Sequence, residues 1–475
     1  MKKLLIFVLV LSLLCVPASF AGENGWSYDA VTKTLDISSP EGFEARSDWA
    51  KFTLENVVIS GTVTHIPDEM FIDRQDILTL TVSAPVEVIG SRAFYNCQEL
   101  GSISLGTALK RIGMSVFSGS CITHVEFPYG FERVGESSFY KCYELERVTF
   151  PETLKVIEPW AFYYCTSLDN VVLPASLEVI DFCGFYRCKA LRQISIPNGI
   201  DIINGATFYE CDRLKSVTLP DSVTYIDECA FEGCHDLEEL DFPKNTEYIS
   251  FSVFSRCPRL MCVGIPDSVN FIDSGAFSLT DTEVLFGKSD YLIGYAEENG
   301  ITHSEEPEYK DVKKSDWFAV SARYCFGRRI MTGTAKNVFS PAAPITYEML
   351  CQIIAKTVNA DLSPFTKDKW YSASVEWVKK KGLPISDGIM TRADMISALY
   401  SLFGSPEQSD ENIESLDRFY DISELSETET NAFAWAFANR LICGTGDNKL
   451  APNSPLTRAQ ASLIISNYIL LTYSI

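Results

Sequence analysis

Between residues 54 and 301 the apolar positions fall on several combs that share one period. Phe stands at 71, 94, 117, 139, 162, 185, 208, 231, 254 and 277, in steps of 23 residues with a single step of 22. An apolar residue precedes each Phe by five: Ile66, Ile89, Ile112, Val134, Ile157, Ile180, Ile203, Ile226, Ile249 and Ile272. A third comb has the form apolar-x-x-apolar-x-apolar, as in Leu100, Ile103, Leu105 or Leu214, Val217, Leu219, and extends back to Leu54, Val57 and Ile59. Pro repeats in the same register at 128, 151, 174, 197, 220, 243 and 266. The alternating piece predicts a short strand with one buried face. Pro ends that strand because it has no N–H for a ladder. A turn then leads to the buried aliphatic residue, the Phe and a small loop. One such coil cannot bury its own apolar face, so the coils must stack into a continuous core with a parallel sheet along one side.

A fixed period in the range of 20–29 residues with this apolar spacing is the mark of a leucine-rich repeat. Units such as Leu214-Lys215-Ser216-Val217-Thr218-Leu219-Pro220-Asp221-Ser222-Val223-Thr224-Tyr225-Ile226, followed by Ala230-Phe231-Glu232-Gly233-Cys234, resemble the BspA-like repeats of bacterial surface proteins. The resemblance covers residues 54–301, ten repeats plus a closing segment at Leu285-Phe286-Gly287 and Tyr295 to Ile301. It implies a solenoid of short parallel strands. Residues 22–53, with Trp26, Tyr28, Leu35 and Ile37, are expected to form an N-terminal β cap. The outward positions of successive strands are Arg147/Thr149, Asn170/Val172, Gln193/Ser195, Ser216/Thr218 and Glu239/Asp241. Their types vary from coil to coil, which suits a binding surface for an unidentified protein or glycan better than a spacer.

Residues 302–308 (THSEEPE) are polar and acidic with one Pro, the composition of a linker, and the 23-residue period stops there. Helical patterns follow, and three units align over about 309–360, 363–404 and 417–472 of the segment 309–475. Their shared features include Asp316-Trp317-Phe318-Ala319 in unit one, Trp370-Tyr371 and Thr391-Arg392-Ala393-Asp394 in unit two, and Gly444-Thr445-Gly446-Asp447 and Thr457-Arg458-Ala459-Gln460 in unit three. These units resemble S-layer homology repeats. The resemblance implies an α-helical bundle of three repeats that binds anionic secondary cell-wall polysaccharide. It also implies that Arg392 and Arg458 hold a carboxylate, with Trp317 and Trp370 near the sugar. A guanidinium fork at a helix start can pair with a carboxylate. The same Thr-x-x-Asp/Gln spacing also forms a capping box that needs no ligand. Unit one carries Tyr347 where the Arg belongs, unit two has lost most of its loop, and unit three lacks the Trp.

The N-terminus has Lys2 and Lys3, an apolar run from Leu4 to Val16, and small residues at Ser19 and Ala21, so residues 1–21 are expected to be a signal peptide. The run is too short to span a bilayer. Cys15 follows Leu13-Leu14, a poor fit to a lipidation site. The formal net charge of −23 disfavours nucleic acid and anionic lipid as partners. The expected protein is therefore secreted, held at a bacterial cell surface or wall, and without an integral membrane span. A passive wall component is the alternative to an adhesin or ligand-binding protein.

Seven cysteines stand three residues after a repeat Phe: Cys97, Cys142, Cys165, Cys188, Cys211, Cys234 and Cys257; Cys121 stands four after. Side chains of neighbouring coils point the same way, too far apart at Cβ for an ordinary disulfide. The comb predicts a buried packing ladder whose end coils carry Arg74 and Thr280, with a local Cys183–Cys188 bridge as an alternative. The Cys-x4-Cys pairs at 183/188 and 229/234 are two coils apart, too distant to share one zinc. The four His (His65, His124, His235, His303) are scattered. No nucleophile-elbow, phosphate-loop, dinucleotide-binding or zinc-protease motif is present, so neither catalysis nor a cofactor is expected.

Overall fold

The computed structural model describes residues 19–22, 24–385, 388–423 and 425–473. Most of the expected signal peptide lies outside these residues, although Ser19–Ala21 pairs antiparallel with Trp26–Asp29. The chain is a β-solenoid of about 11 turns of roughly 23 residues followed by a helical C-terminal region. It divides into two compact units: residues up to Leu214 together with Thr218–Cys234, and Lys215–Val217 together with His235–Ile475.

In the first unit the strands Trp26–Asp29 and Thr34–Ile37 form a hairpin whose second strand pairs in parallel with Asn56–Ile59, then Thr79–Val82, then Ser102–Ser104. The cap thus starts the sheet that the coils continue. Trp26, Tyr28, Leu35 and Ile37 are buried as expected. Further along, His124–Glu126, Arg147–Thr149 and Asn170–Val171 pair in parallel. Each coil also carries a second, two-residue strand around its leading aliphatic residue. His65–Ile66, Val88–Ile89, Arg111–Ile112, Arg133–Val134, Val156–Ile157 and Val179–Ile180 form one parallel sheet of their own. The sequence pattern marked only a turn there, because two residues are too few to show alternation.

The repeat Phe side chains form a continuous stack in this unit, from Phe71 to Phe231, with centroid spacings of 4.9–5.8 Å. Trp49, fully buried, closes the stack 5.5 Å from Phe71. Each Phe lies between two residues in the left-handed region, such as Glu69 and Asp73 around Phe71, or Arg92 and Asn96 around Phe94. That conformation is costly outside glycine. Amide bonds to the following coil hold it: Glu69 to the Ser91 carbonyl at 2.9 Å and Asp73 to the Tyr95 carbonyl at 2.9 Å.

The cysteines are a donor ladder. The thiols of Cys97, Cys142, Cys165, Cys188, Cys211 and Cys234 each donate to the carbonyl of the preceding coil's Phe at 3.1–3.3 Å. Arg74 occupies the slot at the first coil and donates to the Phe52 and Ala50 carbonyls. In the 22-residue step the slot is filled by buried Ser120 and not by Cys121. The position therefore selects a side chain that can donate a hydrogen bond, not merely a small apolar group. Among the described residues every cysteine is a free thiol, so Cys183 and Cys188 are not bridged.

In the second unit the strands Cys262–Gly264, Val284–Phe286 and Thr302–Ser304 form a parallel sheet. The segment expected to be a linker is thus partly a strand. Among the described residues seven helices follow: Ala319–Gly327, Tyr347–Thr357, Ser372–Lys381, Arg392–Leu402, Asp410–Glu414, Glu427–Ala438 and Arg458–Tyr473. Met261, Cys262, Val284 and Phe286 of the last coils share one core with Tyr324, Cys325, Ile354 and Trp435 of the helices. Arg323 pairs with Glu306 at 2.8 Å and with Glu239 at 3.3 Å, and Lys314 pairs with Asp241 at 2.7 Å. Tyr324, Arg328 and Tyr473 converge on Glu283.

Candidate functional site

The three helical units close into a ring through their backbones. Ile345 donates to the Leu456 carbonyl at 2.9 Å, Leu456 to Met390 at 2.7 Å, and Met390 back to Ile345 at 3.0 Å. Each of these residues immediately precedes a helix N-cap: Thr346, Thr391 or Thr457. Thr391 and Asp394 form a reciprocal capping box, and Thr457 and Gln460 exchange the same two bonds. The capping reading of these motifs is therefore correct, and it fixes where the next residue goes. The amides of Arg392 and Arg458 reach the neighbouring unit at Ser454 and Ala343, and the amide of Tyr347 does the same at Gly388.

Arg392 is only 5 % exposed. Its guanidinium donates to the Cys443 carbonyl of unit three at 3.2 Å, and its Nε is buried without a partner among the described residues. Burial lowers its pKa from the usual arginine value. It lines a cavity of about 330 Å3 together with Trp317, Cys443, Thr445, Gln460 and the apolar Leu441, Ile442, Leu463 and Ile464. Trp317 is 62 % exposed and is steadied by an edge-to-face contact with Phe318 at 5.3 Å. The cavity volume is near the lower end of small-ligand sites, roughly 300–1,000 Å3. An open indole face, an under-satisfied guanidinium and a few polar side chains can hold a sugar ring by its apolar face and its anionic substituent together.

The other expected groove residues are placed differently. Arg458 is 6 % exposed, donates from Nε to the Phe339 carbonyl at 2.7 Å and from Nη2 to the Thr332 carbonyl, and lies over the Phe339 ring. Two of its donors are thus given to backbone carbonyls of unit one, which ties units three and one together. Trp370 is exposed beside Tyr371 and does not line the Arg392 cavity. Sequence reasoning missed Gln460 and Cys443 as cavity residues. The Gly444-Thr445 loop was visible, but nothing in the spacing said that unit three's loop would meet unit two's Arg and unit one's Trp.

On the solenoid, Arg147, Thr149, Asn170, Val172, Gln193, Ser195, Ser216 and Thr218 are all exposed, with Val172 at 73 %. Glu239 and Asp241 are not available in the same way, since Arg323 and Lys314 pair with them. The bundle follows the solenoid closely enough in the second unit to claim the last two outward positions.

A family model for the BspA type leucine rich repeat region, in six copies, matches residues 47–169 and 155–283. A model for the S-layer homology domain matches 308–348 and 418–462. The chain belongs to the BspA-type leucine-rich-repeat proteins and carries S-layer homology domains. The matched S-layer homology segments are units one and three; unit two, without a match of its own, is recognised by its place in the ring. The chain is similar to a leucine rich cell surface protein from Faecalibacterium prausnitzii, at 22% identity over 64% of this chain and 97% of that one, with a TM-score of 0.33. It is also similar to leucine-rich repeat proteins from Eubacterium ventriosum (19% identity, 54% and 92% of the two chains, TM-score 0.29) and Bacteroides ovatus (21% identity, 60% and 97%, TM-score 0.26). None of the curated proteins matches. These families mark a cell-surface protein, and no enzyme family is indicated. S-layer homology domains generally bind cell-wall polymers. Among the described residues, no helix is long and apolar enough to cross a membrane.

Proposed function

We propose that this BspA-type protein is secreted and held to the bacterial wall by its S-layer homology ring, and that its solenoid binds a protein or glycan on the exposed positions between Arg147 and Thr218. The anchor is the cavity in which Trp317 of unit one, Arg392 of unit two and the Cys443–Thr445 loop of unit three meet. The single observation that carries the reading is the buried Arg392 Nε, which has no hydrogen-bond partner among the described residues. A polar group held that deep without a bond is costly unless something else supplies one. An anionic sugar of the secondary wall polysaccharide does so while its ring stacks on Trp317. Of the two repeat arginines, Arg392 serves this purpose, since the Nε of Arg458 already donates to the Phe339 carbonyl.

The test is co-sedimentation of the full chain with purified bacterial walls, before and after the polysaccharide is stripped. A charge-assisted hydrogen bond contributes ~1.5–3 kcal/mol, an order of magnitude or more in affinity. Arg392→Gln and Trp317→Ala, each checked for native circular dichroism, should each weaken binding by about that factor. Binding equal to the parent in both variants ends the anchor reading and leaves the ring a purely structural element.

A further inference from the structure

A second hollow, of about 530 Å3, adjoins the Trp317–Arg392 cavity, and the two share Leu441, Ile442, Cys443 and Leu463 in their walls. Arg418 and Arg440 line this second hollow. Among the described residues neither forms an ion pair, in a chain whose formal net charge is −23. Arg418 is held in place by two rings: its guanidinium carbon lies 4.9 Å from the Phe419 centroid and 4.6 Å from that of Phe437, which are themselves edge to face. The corresponding ring pair in unit one, Tyr309 and Phe326, is also edge to face at 5.9 Å, but the residue before Tyr309 is Glu308. Unit one therefore keeps the same ring packing without the cation. A guanidinium lying over aromatic rings keeps its N–H edge free for an anion. Asn412, Ser415 and Asn467 add neutral polar groups to the same walls, and Glu411 is the acid among them.

We propose that the Arg418–Arg440 hollow is a second anion-binding subsite, continuous with the Trp317–Arg392 cavity, which takes the next acidic residue of the same wall polysaccharide. The inference rests on the anchor reading above. Together the two hollows make one groove for at least two successive charged sugars, so the preferred ligand is an acidic polysaccharide segment and not a single terminal sugar. Two unpaired cations also give an acidic protein the local positive field it needs to approach an anionic polymer.

The experiment measures binding of the full chain to polysaccharide released from purified bacterial walls and sized into fragments. The double variant Arg418→Gln/Arg440→Gln should lose about tenfold in affinity for long fragments and nothing for the shortest fragment that binds the parent. Arg392→Gln should lose affinity for both. Glu411→Gln should tighten binding of long fragments by a few-fold, because it removes the opposing charge. If the double variant binds long fragments as the parent does while Arg392→Gln is impaired, the second subsite is wrong and the anchor stands. If Arg392→Gln is also unimpaired, or the parent binds no fragment, both fall.

Discussion

The guanidinium of Arg392 donates to the carbonyl of Cys443, and one unit further round the ring the guanidinium of Arg458 donates to the carbonyl of Thr332. The two arginines begin equivalent helices and reach equivalent loops. They differ in what remains. Arg458 also donates Nε to the Phe339 carbonyl, whereas the Nε of Arg392 is buried without a partner among the described residues. A repeated motif has thus been divided between structure and the proposed recognition.

That division predicts opposite phenotypes. Arg458→Ala strips the bonds from two carbonyls and should cost about 3 kcal/mol of stability, with Arg458→Lys a poor rescue because an ammonium cannot reproduce the fork. Arg392→Ala should cost about 1 kcal/mol, since a single bond is lost. Denaturant unfolding of the full chain, followed by tryptophan fluorescence, measures both. Equal losses would mean that the two arginines carry equal structural roles.

The Phe stack predicts a steep contrast in the solenoid. Phe208 is fully buried, 5.8 Å from Phe185 and 5.5 Å from Phe231. Phe208→Ala should destabilise by ~3–5 kcal/mol. Ser216→Ala, at an exposed strand position, should change stability by less than ~0.5 kcal/mol. Similar melting shifts for the two would overturn the register.

Burial pushes the thiol of Cys142 up to about 11 and that of Cys97 up to about 12. In the unfolded chain a thiol ionises near ~8.5. A raised folded pKa favours the protonated thiol, so its contribution is fully present below about pH 8.5 and falls as the pH rises through the folded value. Stability should therefore decline between about pH 8.5 and 11, and Cys142→Ser should flatten that decline while keeping a donor for the Phe117 carbonyl. A pH series of melting temperatures checks it; an unchanged slope in Cys142→Ser would remove the thiol from the account.

The segment 302–308 should resist proteolysis. Thr302–Ser304 is a strand in the last sheet, and Glu306 is paired with Arg323. Glu283→Ala leaves the Arg328 cation and the hydroxyls of Tyr324 and Tyr473 without their shared acceptor, which should cost ~2–4 kcal/mol and expose this segment to cutting. Mass spectrometry of brief Glu-C digests reads the result, and ready cleavage there in the parent would favour the linker reading.

The sequence by itself determined the solenoid. A period of 23 residues in four combs fixes which side chains are buried, because each coil repeats the same local geometry and buries its face only on the next. It also determined the helix starts, since Thr391 with Asp394 and Thr457 with Gln460 are local capping pairs. What only the tertiary structure decided lies wherever distant segments meet. The cysteine slot looked apolar until its partner appeared, a Phe carbonyl 25–26 residues earlier in the chain. The outward positions Glu239 and Asp241 looked open until Lys314 and Arg323 reached them across more than 70 residues of sequence. Arg392 and Arg458 were indistinguishable as motifs, because a motif records the helix start it caps, whereas the carbonyls and cavity that a guanidinium meets belong to another repeat.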